Sequence, residues 1–323
     1  MAVGRRCKRW LLVVCGLLLM GFVLLNILAY RHAHAMMYFT ANGTRTRQAE
    51  TLSRAEKIRV LFSGIELPRP VADTTLASLG PEWEAATITC TNGVRLGAWY
   101  CAGSKTNQLV ILFHGYSGEK SSMVGSANAF LEMGYSVLLV DFRGSGESSE
   151  SYTTIGFREG EDVAAAVEYA RKKLAATRII LYGQSMGAAA ILRAIHSEHA
   201  QPDAIILEAV FDRLLTTAKN RFRLMGLPSF PSAQLLIFWG GWQAGFNGFK
   251  HNPMDYAVSV RCPCLFLHGA NDPRAKIEDA CHVFAAVPGE KTFKEFPDIA
   301  HQSVLAAFPV EWKNTVSRFL NSH

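Results

Sequence analysis

Apolar positions along the chain follow two regimes. From Trp10 to Tyr30 there are 21 residues without a formal charge, and Asn26 is the strongly polar exception. As a helix rising about 1.5 Å per residue, this segment spans roughly 31 Å, the thickness of a hydrocarbon core. Beyond about residue 83, short β-type runs alternate with helical periodicity. A hairpin is predicted over 86–90 and 94–101, turning at Thr91-Asn92-Gly93, followed by a buried strand at 109–113 and a helix at 121–133. Next come a strand at 135–141 and a helix at 160–174, with Val163, Ala166, Val167 and Ala170 at 3–4 spacing. A strand at 178–182, a helix at 186–196 and a strand at 204–207 follow. Strands at 263–267 and 292–296 enclose a helix at 276–287, and a last helix is expected over 303–320. Such alternation predicts an α/β fold: a mostly parallel, doubly wound sheet with helices on both faces. Between the strands near 207 and 265, the stretch Leu235, Leu236, Ile237, Phe238, Trp239, Trp242 and Phe246 is unusually apolar and aromatic.

Charge changes the picture only at the N-terminus. Residues 1–60 carry ten Lys/Arg against Glu50 and Glu56, a net +8, so the net +6 of the whole chain leaves −2 for the remainder. The globular part has no basic excess with which to track phosphates, and no nucleic-acid partner is expected. Arg5, Arg6, Lys8 and Arg9 precede the apolar segment, whereas only Arg31 follows closely. By the positive-inside rule, residues 31–323 then lie on the non-cytoplasmic side of the membrane (periplasmic, lumenal or extracellular). A cleaved signal peptide is the competing reading, since Ala33-His34-Ala35 has the small-x-small form of a cleavage site. The apolar run exceeds the usual ~7–15 residues of such a peptide, which favours an uncleaved signal-anchor. The expected organisation is a basic leader (1–9), a transmembrane helix (10–30), a polar juxtamembrane connector (31–60) and one globular domain (61–323). Within that domain, about 211–260 reads as a lid-like helical insertion, and the connector carries an Asn42-Gly43-Thr44 sequon. Seven cysteines show no framework spacing. Cys262 and Cys264, on one face of a predicted strand, read as small buried apolar groups in preference to a metal site.

The chemistry is concentrated in a few short motifs. Gly183-Gln184-Ser185-Met186-Gly187 sits between a predicted strand and a predicted helix. A sharp strand-to-helix turn lifts a serine oxygen above the sheet, and the flanking glycines let strand and helix nearly touch. His114-Gly115-Tyr116-Ser117-Gly118 follows the strand at 109–113. The backbone N–H groups of Tyr116 and Met186 are the candidate oxyanion donors. A serine nucleophile needs a base, and the base needs an orienting carboxylate. His301 follows the last strand. His268 leads straight into Gly269 and reads as a structural turn residue, while His32 and His34 beside the apolar segment read as interfacial. Asp272, after the penultimate strand, is the candidate acid, with Asp212 as its rival. Asp298, three positions before His301, reads as a loop-end residue.

Residues from about 86 to 320 resemble the α/β-hydrolase superfamily, particularly its ABHD-type and serine-aminopeptidase-like (S33/S9-related) members. Four motifs in order carry the resemblance: His114-Gly115-Tyr116, Asp141–Ser148, Gly183–Gly187, and His268–Asp272 with His301. The second is a loop shaping the floor near the site. It is not a dinucleotide fingerprint, because position 149 is serine where a third glycine would stand. The resemblance implies a serine hydrolase with Ser185, Asp272 and His301 as its triad, needing no metal or organic cofactor. The expected substrate is a small-molecule or lipid carboxylic ester, cleaved through an acyl-enzyme. Phe238, Trp239 and Trp242 are candidates for an acyl pocket. A peptidase or thioesterase of the same fold is the alternative. An inactive binding or scaffold protein is the alternative from another class, although the full triad is present.

Overall fold

The run Leu109–Phe113 is apolar at every position because both faces of its strand are covered. Leu109, Ile111 and Phe113 enter one buried cluster with Val163 and Ile191, while Val110 and Leu112 enter the other with Phe130 and Trp312. The computed structural model describes residues 2–47 and 51–323, with side chains from Lys8 onward. Glu50 and the side chains of Arg5 and Arg6, which enter the charge argument, lie outside the described residues.

In chain order the elements are α1 (Ala2–Met37), α2 (Arg54–Ser63), α3 (Leu76–Leu79), β1 (Trp83–Thr89), β2 (Arg95–Cys101), β3 (Lys105–Phe113), α4 (Val124–Glu132), β4 (Tyr135–Val140) and α5 (Glu159–Lys173). Then follow β5 (Arg178–Gln184), α6 (Met186–Ser197), β6 (Ala204–Glu208), α7 (Leu214–Leu224), α8 (Ser232–Ala244) and α9 (Pro253–Ala257). The chain closes with β7 (Cys264–Gly269), α10 (Ile277–Ala286), β8 (Lys291–Phe296), α11 (Val304–Ala307) and α12 (Pro309–Ser322). The strands form one sheet in the order β1-β2-β4-β3-β5-β6-β7-β8. β2 is antiparallel to β1 and β4, and every other neighbouring pair is parallel. Helices α5, α6, α9 and α10 cover one face, and α4 and α12 the other.

The single helix expected over 303–320 is two. Phe308, with φ −132° and ψ 64°, leaves the helical region because Pro309 follows it, and α12 starts on that proline. The helix predicted from 121 begins as a 3-10 turn, Lys120–Met123, capped by the Glu119 carboxylate. Among the described residues Cys15, Cys90, Cys101, Cys262, Cys264 and Cys281 are free thiols.

At the N-terminus, Lys8–Met37 is long and apolar enough to cross a membrane. Expected to end at Tyr30, the helix runs on to Met37 because Ala29, Ala33 and Met37 form a buried stripe at four-residue spacing. That stripe faces α8, where Gly240 permits the approach. Hydrogen bonds complete the contact: Trp239 Nε1 to Asn26 Oδ1 at 3.1 Å and Gln243 Nε2 to Tyr30 O at 3.0 Å. On its other side α1 meets α2, with His32 Nε2 donating to Leu61 O at 2.8 Å. Part of the segment read as a connector is therefore packed secondary structure.

Candidate active site

β5 ends at Gln184 and α6 begins at Met186, so Ser185 alone makes the turn, with φ 52° and ψ −107°. A side chain rarely adopts this backbone, and it persists only where the surroundings enforce it. Here the Ser185 N–H donates to Glu208 O at 2.8 Å. A Cβ on Gly183 would lie 2.6 Å from the Gly187 carbonyl carbon, and one on Gly187 would lie 2.4 Å from Phe113 O. Only glycine fits at either position.

The loop after β3 is held from below by His114. Its buried ring donates from Nδ1 to Gly115 O (2.8 Å) and accepts the Phe142 N–H at Nε2 (3.1 Å). This pattern needs a neutral imidazole, and burial lowers its pKa accordingly. The ring thus ties the loop to the Asp141–Ser148 floor. There the buried Asp141 carboxylate accepts from Lys120 Nζ at 2.6 Å. Tyr116 donates its phenol to Met36 O of α1 at 2.6 Å, and burial pushes that phenol up to about 12, so it stays a donor. Arg45 donates to the Ser117 hydroxyl. Met186 opens α6, so its N–H has no acceptor within the helix.

His301 follows β8 and Asp272 follows β7. His301 Nδ1 lies 2.6 Å from Asp272 Oδ2. The other carboxylate oxygen of buried Asp272 accepts the N–H groups of Arg274 (2.8 Å) and Ala275 (3.0 Å). Ser185, His301, Gly115 and Tyr116 line one cavity of about 420 Å³, within the usual range for small-ligand sites. Buried His268 donates from Nε2 to Ala275 O at 2.9 Å, and Asp298 is an exposed turn residue at φ 57°.

Asp212 belongs to a different group. It lies 3.2 Å from His282 Nδ1 and close to Asp279, away from the cavity lining. Ligand atoms of these three lie within 4.8 Å of one another, the arrangement among the described residues that could hold a cation. Burial, and then the Asp212 charge, push the Asp279 carboxyl up to about 6. The folded protein therefore keeps a proton on Asp279 that the unfolded chain releases above 3.8. This contribution to stability is complete below 3.8 and is lost as pH rises through 6. In thermal melts, Tm should fall less between about pH 4 and 6 in Asp279→Asn than in the unaltered protein. Equal slopes in both proteins would refute the assignment.

Sequence reasoning passed over Glu208, the lone acid ending the apolar strand β6. It is buried beside the turn and accepts from Tyr182 Oη (2.7 Å), Gln184 Nε2 (3.1 Å) and the Val304 N–H (3.1 Å), linking β5, β6 and α11. Burial raises its carboxyl pKa. An acid closing an otherwise apolar strand was the available signal.

The aromatic residues proposed for the pocket are elsewhere. Phe238 and Trp242 are exposed (50% and 66%), and Trp239 packs edge-on against Tyr30 of α1. At about 100° per residue, Ser232 and Leu236 turn to the cavity while 238 and 242 fall on a face rotated away; Trp239 is nearer the cavity face but is taken up by Tyr30 and Asn26 of α1. The apolar walls come instead from Leu25, Leu28, Ala29 and Met36 of α1, Val60 and Leu61 of α2, Phe222 of α7 and Leu236 of α8.

Comparison with known proteins agrees with this architecture. The sequence model of the "Serine aminopeptidase, S33" family (Hydrolase_4) matches residues 104–223. The esterase Pf2001 of Pyrococcus furiosus superposes with a TM-score of 0.66 at 26% identity, over 79% of this chain and 96% of that one. The chain has the α/β-hydrolase fold, and these matches support a member of that superfamily. Among relatives of this hydrolase, YqkD of Bacillus subtilis is 24% identical over 247 residues, 75% of this chain and 80% of that protein. The lysophosphatidylserine lipase ABHD12 of Mus musculus is 23% identical over 210 residues, 61% of this chain and half the length of that lipase.

Proposed function

We propose that this α/β-hydrolase cleaves carboxylic esters, with lipid or acylated substrates favoured, through an acyl-enzyme on Ser185. The observation that carries the reading is a convergence on one apolar-walled cavity: a serine on a strained strand-to-helix turn, and a histidine whose Nδ1 is held by a buried carboxylate. In this mechanism His301 Nε2 takes the Ser185 hydroxyl proton as the oxygen attacks the ester carbonyl. Asp272 keeps the other proton on Nδ1 and stabilises the imidazolium. The tetrahedral oxyanion meets the N–H groups of Tyr116 and Met186, at the positive end of α6. Collapse expels the alcohol, which takes the proton from His301, and water then repeats the sequence in reverse roles. The names of the esterase and lipase relatives are in keeping with this class. Residues 10–30 are read as a membrane anchor with 31–323 on the non-cytoplasmic side, from the basic residues before the segment.

A p-nitrophenyl ester series tests the substrate class. kcat/KM should rise with acyl length from acetate upward, by about fourfold for each buried methylene, or ~0.8 kcal/mol, until the cavity is filled. Indifference to chain length together with rapid turnover of aminoacyl amides would transfer the reading to a peptidase.

A further inference from the structure

We infer that Glu208 is a positioning residue, whose side chain and backbone oxygen together hold the Ser185 turn and the His301 loop at the separation proton transfer needs. This rests on the reading of Ser185 as nucleophile and His301 as base, and adds a residue outside the triad on which their geometry depends.

β5 and β6 run parallel and end side by side, with Gln184 opposite Glu208. At each strand end the chain turns through a left-handed residue that is not glycine, Ser185 at φ 52° and Ala209 at φ 53°. Such conformations persist only under restraint from their surroundings. Glu208 joins the two corners. Its carbonyl oxygen accepts the Ser185 N–H at 2.8 Å, and the Ala209 N–H that follows it is fixed on Leu267 O at 3.0 Å. Its side chain returns to the same strand end, where Oε1 accepts Gln184 Nε2 at 3.1 Å and Oε2 accepts Tyr182 Oη at 2.7 Å. One residue thus holds positions 182, 184 and 185 of the nucleophile strand and turn.

The same carboxylate reaches the base. The loop between β8 and α11 carries His301 and is tethered on both sides of it. Before the histidine, Ile299 O accepts the Asn271 N–H at 3.0 Å, which ties the loop to the one bearing Asp272. After the histidine, the Val304 N–H donates to Glu208 Oε1 at 3.1 Å, which ties the loop to the Ser185 turn. His301 is therefore held from the acid side and from the nucleophile side. Ile299, Val304 and Glu208 are all buried, so water does not compete freely for either bond.

The length of the side chain is what this arrangement requires. All three partners can donate, and a carboxylate offers acceptors to each of them at once. An amide of the same length keeps an oxygen for the Val304 and Gln184 N–H groups and turns its NH₂ to Tyr182 Oη. An aspartate, one methylene shorter, keeps the charge but cannot reach β5 and α11 together. The tether to one of them is then lost, and a displacement of about 1 Å between reacting groups costs on the order of 10²-fold in rate.

The test uses the full chain in lipid nanodiscs with p-nitrophenyl acetate, and divides each kcat by the fraction of Ser185 that a fluorophosphonate labels at completion. Glu208→Asp should lower kcat per labelled site by about tenfold or more with KM within about threefold, and Glu208→Ala should lower it further. Glu208→Gln should stay within about threefold of the unaltered protein, a rescue by length without charge. Val316→Ala, in the core under α12 and outside the cavity lining, shows what lost stability does by itself: a lower Tm with the same kcat per labelled site. If Glu208→Ala does not fold, the Asp and Gln variants decide. Glu208→Asp behaving like Val316→Ala, or Glu208→Gln no more active than Glu208→Asp, overturns this inference alone. Absence of Ser185-dependent turnover of every ester by the unaltered protein overturns the hydrolase reading and this inference with it.

Discussion

Ser185→Ala is expected to lower ester turnover by ~10⁴–10⁶-fold and to abolish labelling by a fluorophosphonate, with the fold intact. The large factor follows from the position of the residue. The turn that exposes its oxygen is built by the close approach of Gly183 and Gly187 to neighbouring backbone. The methyl of alanine occupies the space of the serine Cβ, so the turn survives while the attacking atom is lost. Activity remaining in the variant would come from oxyanion stabilisation and binding alone. A labelled Ser185→Ala protein would place the nucleophile on another serine. Tm measured alongside separates a chemical loss from an unfolded one.

The second large effect is expected at Asp272, and the hydrogen bonds explain its direction. Oδ1 of Asp272 is pinned by the Arg274 and Ala275 N–H groups, and Oδ2 receives His301 Nδ1. In Asp272→Asn the amide oxygen is the only group able to satisfy those two backbone donors. The NH₂ then faces His301 and drives the ring into the tautomer with its proton on Nε2. That nitrogen can no longer accept the Ser185 proton, and kcat should fall by up to ~10⁴ with little change in Tm. Asp212→Asn should cost less than about fivefold in kcat, because Asp212 lies with His282 and Asp279 outside the cavity. The reverse ranking would move the acid from the loop after β7 to the loop after β6.

Much of the fold was legible because its determinants are local. Strand period, helix period and the glycines of the Gly183–Gly187 turn act over a few residues, so the sheet elements and the position of Ser185 could be read directly. The break at Pro309 was equally local, visible in the sequence though read through as one helix, since a proline constrains the residue before it. The candidate acid is an intermediate case. Both Asp212 and Asp272 follow strands of the right kind, and only the packing of β8 and its loop brings His301 to one of them. Glu208 was hidden for a related reason: an acid in an apolar strand reads as an end residue until three donors from β5 and α11 are seen to converge on it.

The apolar residues that line the Ser185 cavity could not be assigned from the pattern. Phe238, Trp239 and Trp242 have the composition of an acyl pocket, but composition does not say which face of α8 turns to the nucleophile. Leu25, Leu28 and Ala29 have the composition of a membrane span, and nothing along the chain marks them as cavity lining. Trp239 meets Asn26 across 213 positions of sequence, and Tyr116 meets Met36 across 80. The sequence by itself determined which faces are apolar, where the backbone must turn and which groups can react. Tertiary structure decided what each apolar face is packed against, because that depends on contacts between segments whose spacing carries no periodic signal.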